Sequence, residues 1–567
     1  MQKMSFASWI RRAGAALLVF GFAFAAAAAE LGKSSAGVAA ASDEGELAIK
    51  RFKVAPGLKV DLWAAEPLLA NPVAIAVDEK GRWYVAETFR HSDGVLDIRG
   101  HMNWLEQELA AKTIEDRLAI LKGDPKIDLK KLSAQTDRVR LIWDSTGSGR
   151  ADKATVFAEG FNDPLDGIGA GLLARKGSVY FTCIPDLWLL QDTKGTGVAD
   201  VKKSLSRGYG VRTAFLGHDL HGLRIGPDGK LYFTVGDRGA NITAIDGKKI
   251  SNPETGAAFR CNLDGSDLEI FCLGLRNPQE LAFDKFGNLW TCDNNSDAGD
   301  PARWAYLVEG ADNGWRVGWQ FINQPNARGP WLAERLCYPH FEGQAAYIVP
   351  PVAILGNGPS GITYYSGTGL PDAYRDHFFV ANFSGGPGNS GIFSVSVTPK
   401  GAGFEMNKPD QLIWNILTTD VEIGVDGGVY VSDWVNGWGK PGKGRIYRIH
   451  DPAVDSSALV RETRKLIADG MDARPIAELA QLVAHADMRV RLEAQFALVE
   501  KGADGRAALA QAARANADQL ARLHGIWGLG QLAAASLKKS GAADSDSVTA
   551  LTALLNDNDA EVRAQAA

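Results

Sequence analysis

Cysteine is scarce, five in 567 residues, and no two are spaced C-x-x-C. That absence excludes a zinc knuckle, a thioredoxin-type motif and a C-x-x-C-H haem attachment within this chain, and leaves the thiols as buried, free side chains. There is no Lys/Arg run either, and the formal charge is −6, so the electrostatic footprint of a nucleic-acid binder is missing. The 63 glycines follow no Gly-X-Y period, which excludes collagen and favours a turn-rich β protein. A single long apolar run exists, Ala13 to Ala29, behind Lys3, Arg11 and Arg12. It is Ala-rich, short for a bilayer span of about 20 residues, and ends in small residues before Glu30. Residues 1–29 therefore read as a cleaved secretory signal, 30–44 as a linker, and the protein as periplasmic or extracellular.

Hydrophobic residues make up 46% and charged residues 23%, enough for packed cores, and the length implies more than one domain. One pattern recurs: an apolar strand, a Gly/Asp turn, then an aromatic-rich strand. It begins at positions 71, 166, 221, 278, 359 and 420, as in "HGLRIGPDGKLYFTVGD" and "DVEIGVDGGVYVSDW". Taking Ala86, Thr182, Thr234, Thr291, Ala381 and Ser432 as equivalent, the first and fourth units carry insertions. A sheet of three or four strands cannot bury both faces alone, and radial stacking solves that problem. The expected fold is an all-β six-bladed propeller over 45–452. From 453 to 567 the chain turns Ala- and Leu-rich with helical periodicity, and Arg491, Arg522 and Arg563 recur behind Asp487, Asp518 and Asp559. This predicts an α-helical HEAT-type solenoid, a surface for a protein partner, whose last copy reads as truncated at Ala567.

Four segments carry candidate chemistry. "GHDLHGLRIGPDG" and "VGDRG" place His218, His221 and Arg224 near Asp237 and Arg238, a set suited to acid–base work. "GLRNPQ" puts Arg276 and Asn277 just before another strand of the pattern. "CDNNSDAGD" offers Asp293, Asn295, Asp297 and Asp300 as calcium ligands, although an EF-hand's Gly and Glu positions hold Ala298 and Trp304. "DSTGSGRAD" and "DTKGTGVAD" read as structural turns.

The motifs "HDLHGLRIGPDGKLYFTVGDRG" and "GLRNPQELAF", on six blades, resemble the soluble quinoprotein glucose/sorbosone dehydrogenases. The whole chain resembles the membrane-bound dehydrogenases of planctomycetes and verrucomicrobia, in which a propeller and HEAT repeats precede a cytochrome c domain. The resemblance implies that His218 is the base taking a proton from a sugar or polyol hydroxyl. It implies that Arg276 and Asn277 touch quinone and substrate, with His221, Arg224 and Arg238 beside them, and that electrons pass to a quinone and then to haem c in a further domain. The implied quinone is pyrroloquinoline quinone, a tricarboxylate. Yet 382–393 and 417–426, where that family places basic residues to hold it, contain no Lys or Arg. A non-catalytic carbohydrate- or protein-binding propeller is the rival reading. A calcium-dependent lactonase, drawing on Glu87, Asp237, Asp293 and Asp433, is a third.

Overall fold

The computed structural model describes residues 37–322, 331, 333–344 and 348–567, so the expected leader at 1–29 and the linker up to residue 36 lie outside them. Six antiparallel sheets form a propeller. In blade 1 the strands are Pro72–Val77, Trp83–Glu87, Asp137–Trp143 and Lys153–Phe161. Blade 2 starts at Gly171–Arg175, blade 3 at Leu220–Ile225, blade 4 at Ala282–Phe283, blade 5 at Pro359–Tyr364 and blade 6 at Thr418–Ile423. These first strands pack against one another around the axis. The positions taken as equivalent all fall on second strands and are fully buried.

The recurrent hairpins share one turn. In blades 1, 3, 4 and 6 the fourth turn residue is Gly81, Gly229, Gly287 or Gly427, with φ of 76°, 76°, 78° and 77°. Each N–H bonds to the carbonyl three residues back, at Asp78, Gly226, Asp284 and Gly424. A left-handed residue after a tight turn matches the twist of the two strands, and glycine adopts it without a Cβ penalty. Three residues on, Tyr84, Tyr232, Trp290 and Tyr430 enter the sheets, and the last three donate to a turn carboxylate, Asp228, Asp284 or Asp426. The turns at Asp144 and Asp192 are likewise structural, their carboxylates capping backbone N–H groups of 146–149 and 194–197.

Two features escape the repeat. Blade 6 has only three strands of its own, and Lys59–Ala64 from the N-terminal side pairs antiparallel with Arg445–His450 to complete it. The hairpin Ala240–Ala244 and Lys249–Asn252, inserted in blade 3, extends the edge of blade 2. Both expected insertions exist, at 88–136 in blade 1 and after Leu307 in blade 4. All five cysteines are free and buried.

Helices run from Ala458 to Ala566, three of them N-capped by Asp487, Asp518 and Asp559. This helical region lies across the hairpin turns. Arg175 forms a two-bonded pair with Glu493 at 2.7 and 2.8 Å, Gln495 donates to the Pro227 carbonyl, Arg489 to Gly424 and Gln565 to Phe286. Among the described residues no helix is long and apolar enough to cross a membrane.

Leu62 is 5% exposed on the closing strand, whereas Lys59 on the same strand is exposed. Leu62→Ala is expected to lower the unfolding free energy by about 2–5 kcal/mol, and Lys59→Ala by no more than about 0.5 kcal/mol, in chemical denaturation.

Candidate functional site

The blade 1 insertion determines where the site sits. It forms helices Leu105–Ala110 and Ile114–Gly123, the second opened by a capping box in which Thr113 and Asp116 satisfy each other's backbone N–H groups. Glu108, buried in the first helix, accepts the N–H groups of Thr213 and Ala214 at 3.1 and 2.5 Å, and Arg212 donates back to the Glu108 carbonyl at 2.9 Å. Ile98, Trp104, Ile120 and Leu121 pack on Phe215. A loop that would otherwise be free in solvent is thus clamped where it delivers His218.

His218 is 4% exposed and its Nδ1 lies 2.7 Å from Asp237 Oδ1. Asp237 in turn accepts the Trp315 indole N–H at 2.9 Å on Oδ2, and its own N–H donates to the Arg276 carbonyl at 2.7 Å. Burial pushes the Asp237 carboxyl up, but His218, Arg276 and the Trp315 N–H outweigh it and hold the group below the usual carboxylate range. A carboxylate on Nδ1 places the proton there and leaves Nε2 as the acceptor. His218 lines a cavity of about 760 Å³ at the mouth of the channel. A histidine with a buried acid behind it and a cavity before it has the geometry to accept a proton from a bound ligand. Asp237 touches the histidine and acts on it as a positioning group.

His221 and Asn277 also line this cavity. His221 Nε2 donates to the Gly217 carbonyl and Asn277 Oδ1 at 3.0 and 3.1 Å, and burial pushes the imidazole down to about 4, so it is neutral at physiological pH. Arg276 is 1% exposed; its Nε donates to Gln320 at 2.9 Å, Nη2 reaches Asp297 at 3.3 Å, and Nη1 is buried without a partner.

Other expected site residues are placed elsewhere. Arg224 lies toward the opposite end of the channel, bonded to Glu280 and Glu422 at 3.1 and 2.9 Å and to the Ile362 carbonyl. It lines a separate cavity of about 550 Å³ against the helical region. A bulge at Gly222, between the His221–Thr234 and Leu223–Phe233 pairs, returns Arg224 to the face that carries His221, so the two side chains are separated along the strand, one toward each end of the channel. Arg238 sits behind the wall, 3.6 Å from Asp219 and donating to the Phe215 carbonyl. The acids of the expected calcium loop already have protein partners. Asp293 is consumed by the N–H groups of Arg276 and Asn277 and by the Arg303 guanidinium, Asp300 by Ser296, and Asp297 by Arg276. Asn295 stands beside them without a free carboxylate set to join. Among the described residues no three His, Cys, Asp or Glu side chains converge as metal ligands. The acids of the lactonase reading are partnered too: Glu87 is held by Arg138 and Arg140, and Asp433 caps Val435.

A tricarboxylate quinone does not fit the side chains present. Arg99 is the guanidinium lining the mouth cavity, and it is paired with Asp97; Asp219 and Asp297 also line it. The Asp219 carboxylate makes no hydrogen bond and faces Arg238 at 3.6 Å, so that pair offers no free cation to a further carboxylate. Residues 383 and 419 at the late blades contribute Phe and Thr. Sequence reading missed Trp315, Arg99, Trp434 and Trp438; a tryptophan pair in the glycine-rich segment "WVNGWGKPG" was the available signal.

Residues 44–438 match the family described as "Domain of unknown function (DUF7133)". Quinoprotein glucose dehydrogenase B of Acinetobacter calcoaceticus is 32% identical over a segment covering 17% of this chain and 26% of that protein, so the match spans about a quarter of the relative's length. Among solved structures, the PQQ-bound form of aldose sugar dehydrogenase from Streptomyces coelicolor is 17% identical, covering 70% of this chain and 99% of that one, with a TM-score of 0.42. The pyranose dehydrogenase PQQ domain from Coprinopsis cinerea is 13% identical, covering 70% and 97%, with a TM-score of 0.41. Likenesses this low carry no argument about chemistry.

Between pH 6.5 and 4 the unfolded chain takes up a proton that folded His221 refuses, so stability falls as pH falls through that window. His221→Gln keeps a donor for Gly217 and Asn277 but does not titrate. Denaturation curves across the window should show a flatter slope in the variant, the difference reaching on the order of 3 kcal/mol.

Proposed function

The chain belongs to the DUF7133 family, and we propose that its propeller is an exported sugar or polyol oxidoreductase in which His218 is the general base. The observation that carries this reading is the Trp315–Asp237–His218 chain of hydrogen bonds, ending in an imidazole nitrogen at a cavity of about 760 Å³. His218 takes the proton of a substrate hydroxyl, Asp237 stabilises the resulting imidazolium, and the fixed amide of Asn277 orients the sugar. Oxidation also removes a hydride. Its acceptor is a carrier of the quinone class with less negative charge than a tricarboxylate, because the cavity lining is acid-rich. Onward transfer to a haem c protein, and the helical region as a HEAT-type surface for such a partner, belong to the same proposal.

The acid-rich lining also favours the rival, a propeller that binds carbohydrate without turning it over. One experiment separates the two. The purified protein is offered sugars and polyols with neutral quinones and a redox dye, alongside His218→Gln and Asp237→Asn. The oxidoreductase reading expects dye reduction that falls by about 10²–10⁴ in His218→Gln, with Asp237→Asn strongly impaired because the ring loses its enforced tautomer. Sugar binding without dye reduction supports the binding module. Turnover that survives His218→Gln rejects the base.

A further inference from the structure

The proton-transfer chemistry leaves one feature of the mouth cavity unused. Trp438, which lines it, is 64% exposed. The loop that carries it is held. Trp434 donates its indole N–H to the Gly439 carbonyl at 3.0 Å, Lys440 Nζ to the Phe89 carbonyl at 2.9 Å, and Gly442 N–H to Asn71 at 2.9 Å. Val435 sits at φ 79°, a left-handed conformation unfavourable for a β-branched residue, with its N–H bonded to Asp433 at 2.9 Å.

The indole itself is also positioned. A Cβ on Gly385 would meet Trp438 Nε1 at 2.1 Å, so the ring lies directly on that backbone, and a larger residue there would have to displace it. Phe383 meets it edge-on, centroids 5.0 Å apart and planes at 66°. One side of the ring is therefore backed by protein while the rest remains open at the cavity. On the same cavity are His218, Asn277 and Asn294, whose Oδ1 is buried and without a partner. A flat apolar ring in one cavity with these polar groups, of which Asn294 Oδ1 is unpaired, suits a ligand with one apolar face and a hydroxylated edge, which is the chemistry of a pyranose. The cavity, at about 760 Å³, falls in the range of drug-sized ligands, larger than one hexose requires.

We infer that Trp438 forms a second sugar subsite, on which one pyranose ring of a glycoside stacks while the adjoining unit presents its hydroxyl to His218. The substrate class is then a disaccharide or longer oligosaccharide. This rests on the sugar reading of the mouth and narrows it.

Calorimetric titration of the intact chain tests it, using glucose, galactose, mannose and xylose, and α- and β-linked disaccharides of the same units. At least one disaccharide should bind about tenfold tighter than its component monosaccharide. Trp438→Ala should abolish that gap while leaving monosaccharide affinity within about twofold, and Trp438→Phe should preserve most of it. Equal affinity for single and paired units in the wild type overturns the subsite, as does a Trp438→Ala loss that falls equally on both; either result leaves the sugar reading standing. Absence of binding by every sugar overturns both.

Discussion

The pairing of Lys59–Ala64 with Arg445–His450 is the constraint on which the rest depends. A propeller blade has two apolar faces, and each is buried only if the next blade is present. A three-stranded sixth blade would leave the ring open between the last sheet and the first. Closure by a strand from the other end of the sequence ties Leu62, Tyr447 and Ile449 into the cluster shared by blades 5 and 6. It also makes the axis a place where first strands meet. There Arg224 bonds Glu280, Glu422 and the Ile362 carbonyl, while Asp420 accepts the Ile75 N–H, so five blades are joined by one charged knot. Burial and the neighbouring carboxylate push the acids of Glu280 and Asp420 up, and the pair holds a proton that neither would keep in water.

That knot separates the two ends of the molecule. On one side the helical region covers the hairpin turns, its side chains reading the turn carbonyls of Pro227, Phe286 and Gly424. On the other side the loops after the second strands surround the mouth. The repeated turns, with their matching left-handed glycines, give the helical region a regular surface to dock on. The irregular loops opposite give the mouth its chemistry. Regularity serves assembly and irregularity serves the site, which is how loops on a rigid scaffold come to carry function.

Much of the architecture was legible because a repeat is written locally. The hairpin pattern, the left-handed glycines and the helix-capping aspartates depend on residues a few positions apart, so reading along the chain finds them. Six blades, two insertions and the helical C-terminal part followed from that. The closing strand did not, because "KVDLWA" pairs with a partner nearly 400 residues away and carries no turn to announce it. The Ala240–Asn252 hairpin was missed for the related reason that it pairs outside its own blade.

The amino-acid sequence by itself determined the strands, their turns and the presence of a His–Asp–Arg–Asn set in two adjacent motifs. Tertiary structure alone decided which members of that set share a cavity. His218, His221 and Asn277 reach the mouth, whereas Arg224 is drawn to the acids on the axis and the carboxylate of Asp293 is spent on backbone N–H groups. Trp315, Arg99 and Trp438 arrive from three different blades, placed by ring closure. The physical reason is that covalent order sets local conformation, while the neighbours that neutralise a buried charge or leave a ring exposed are chosen only when distant segments meet.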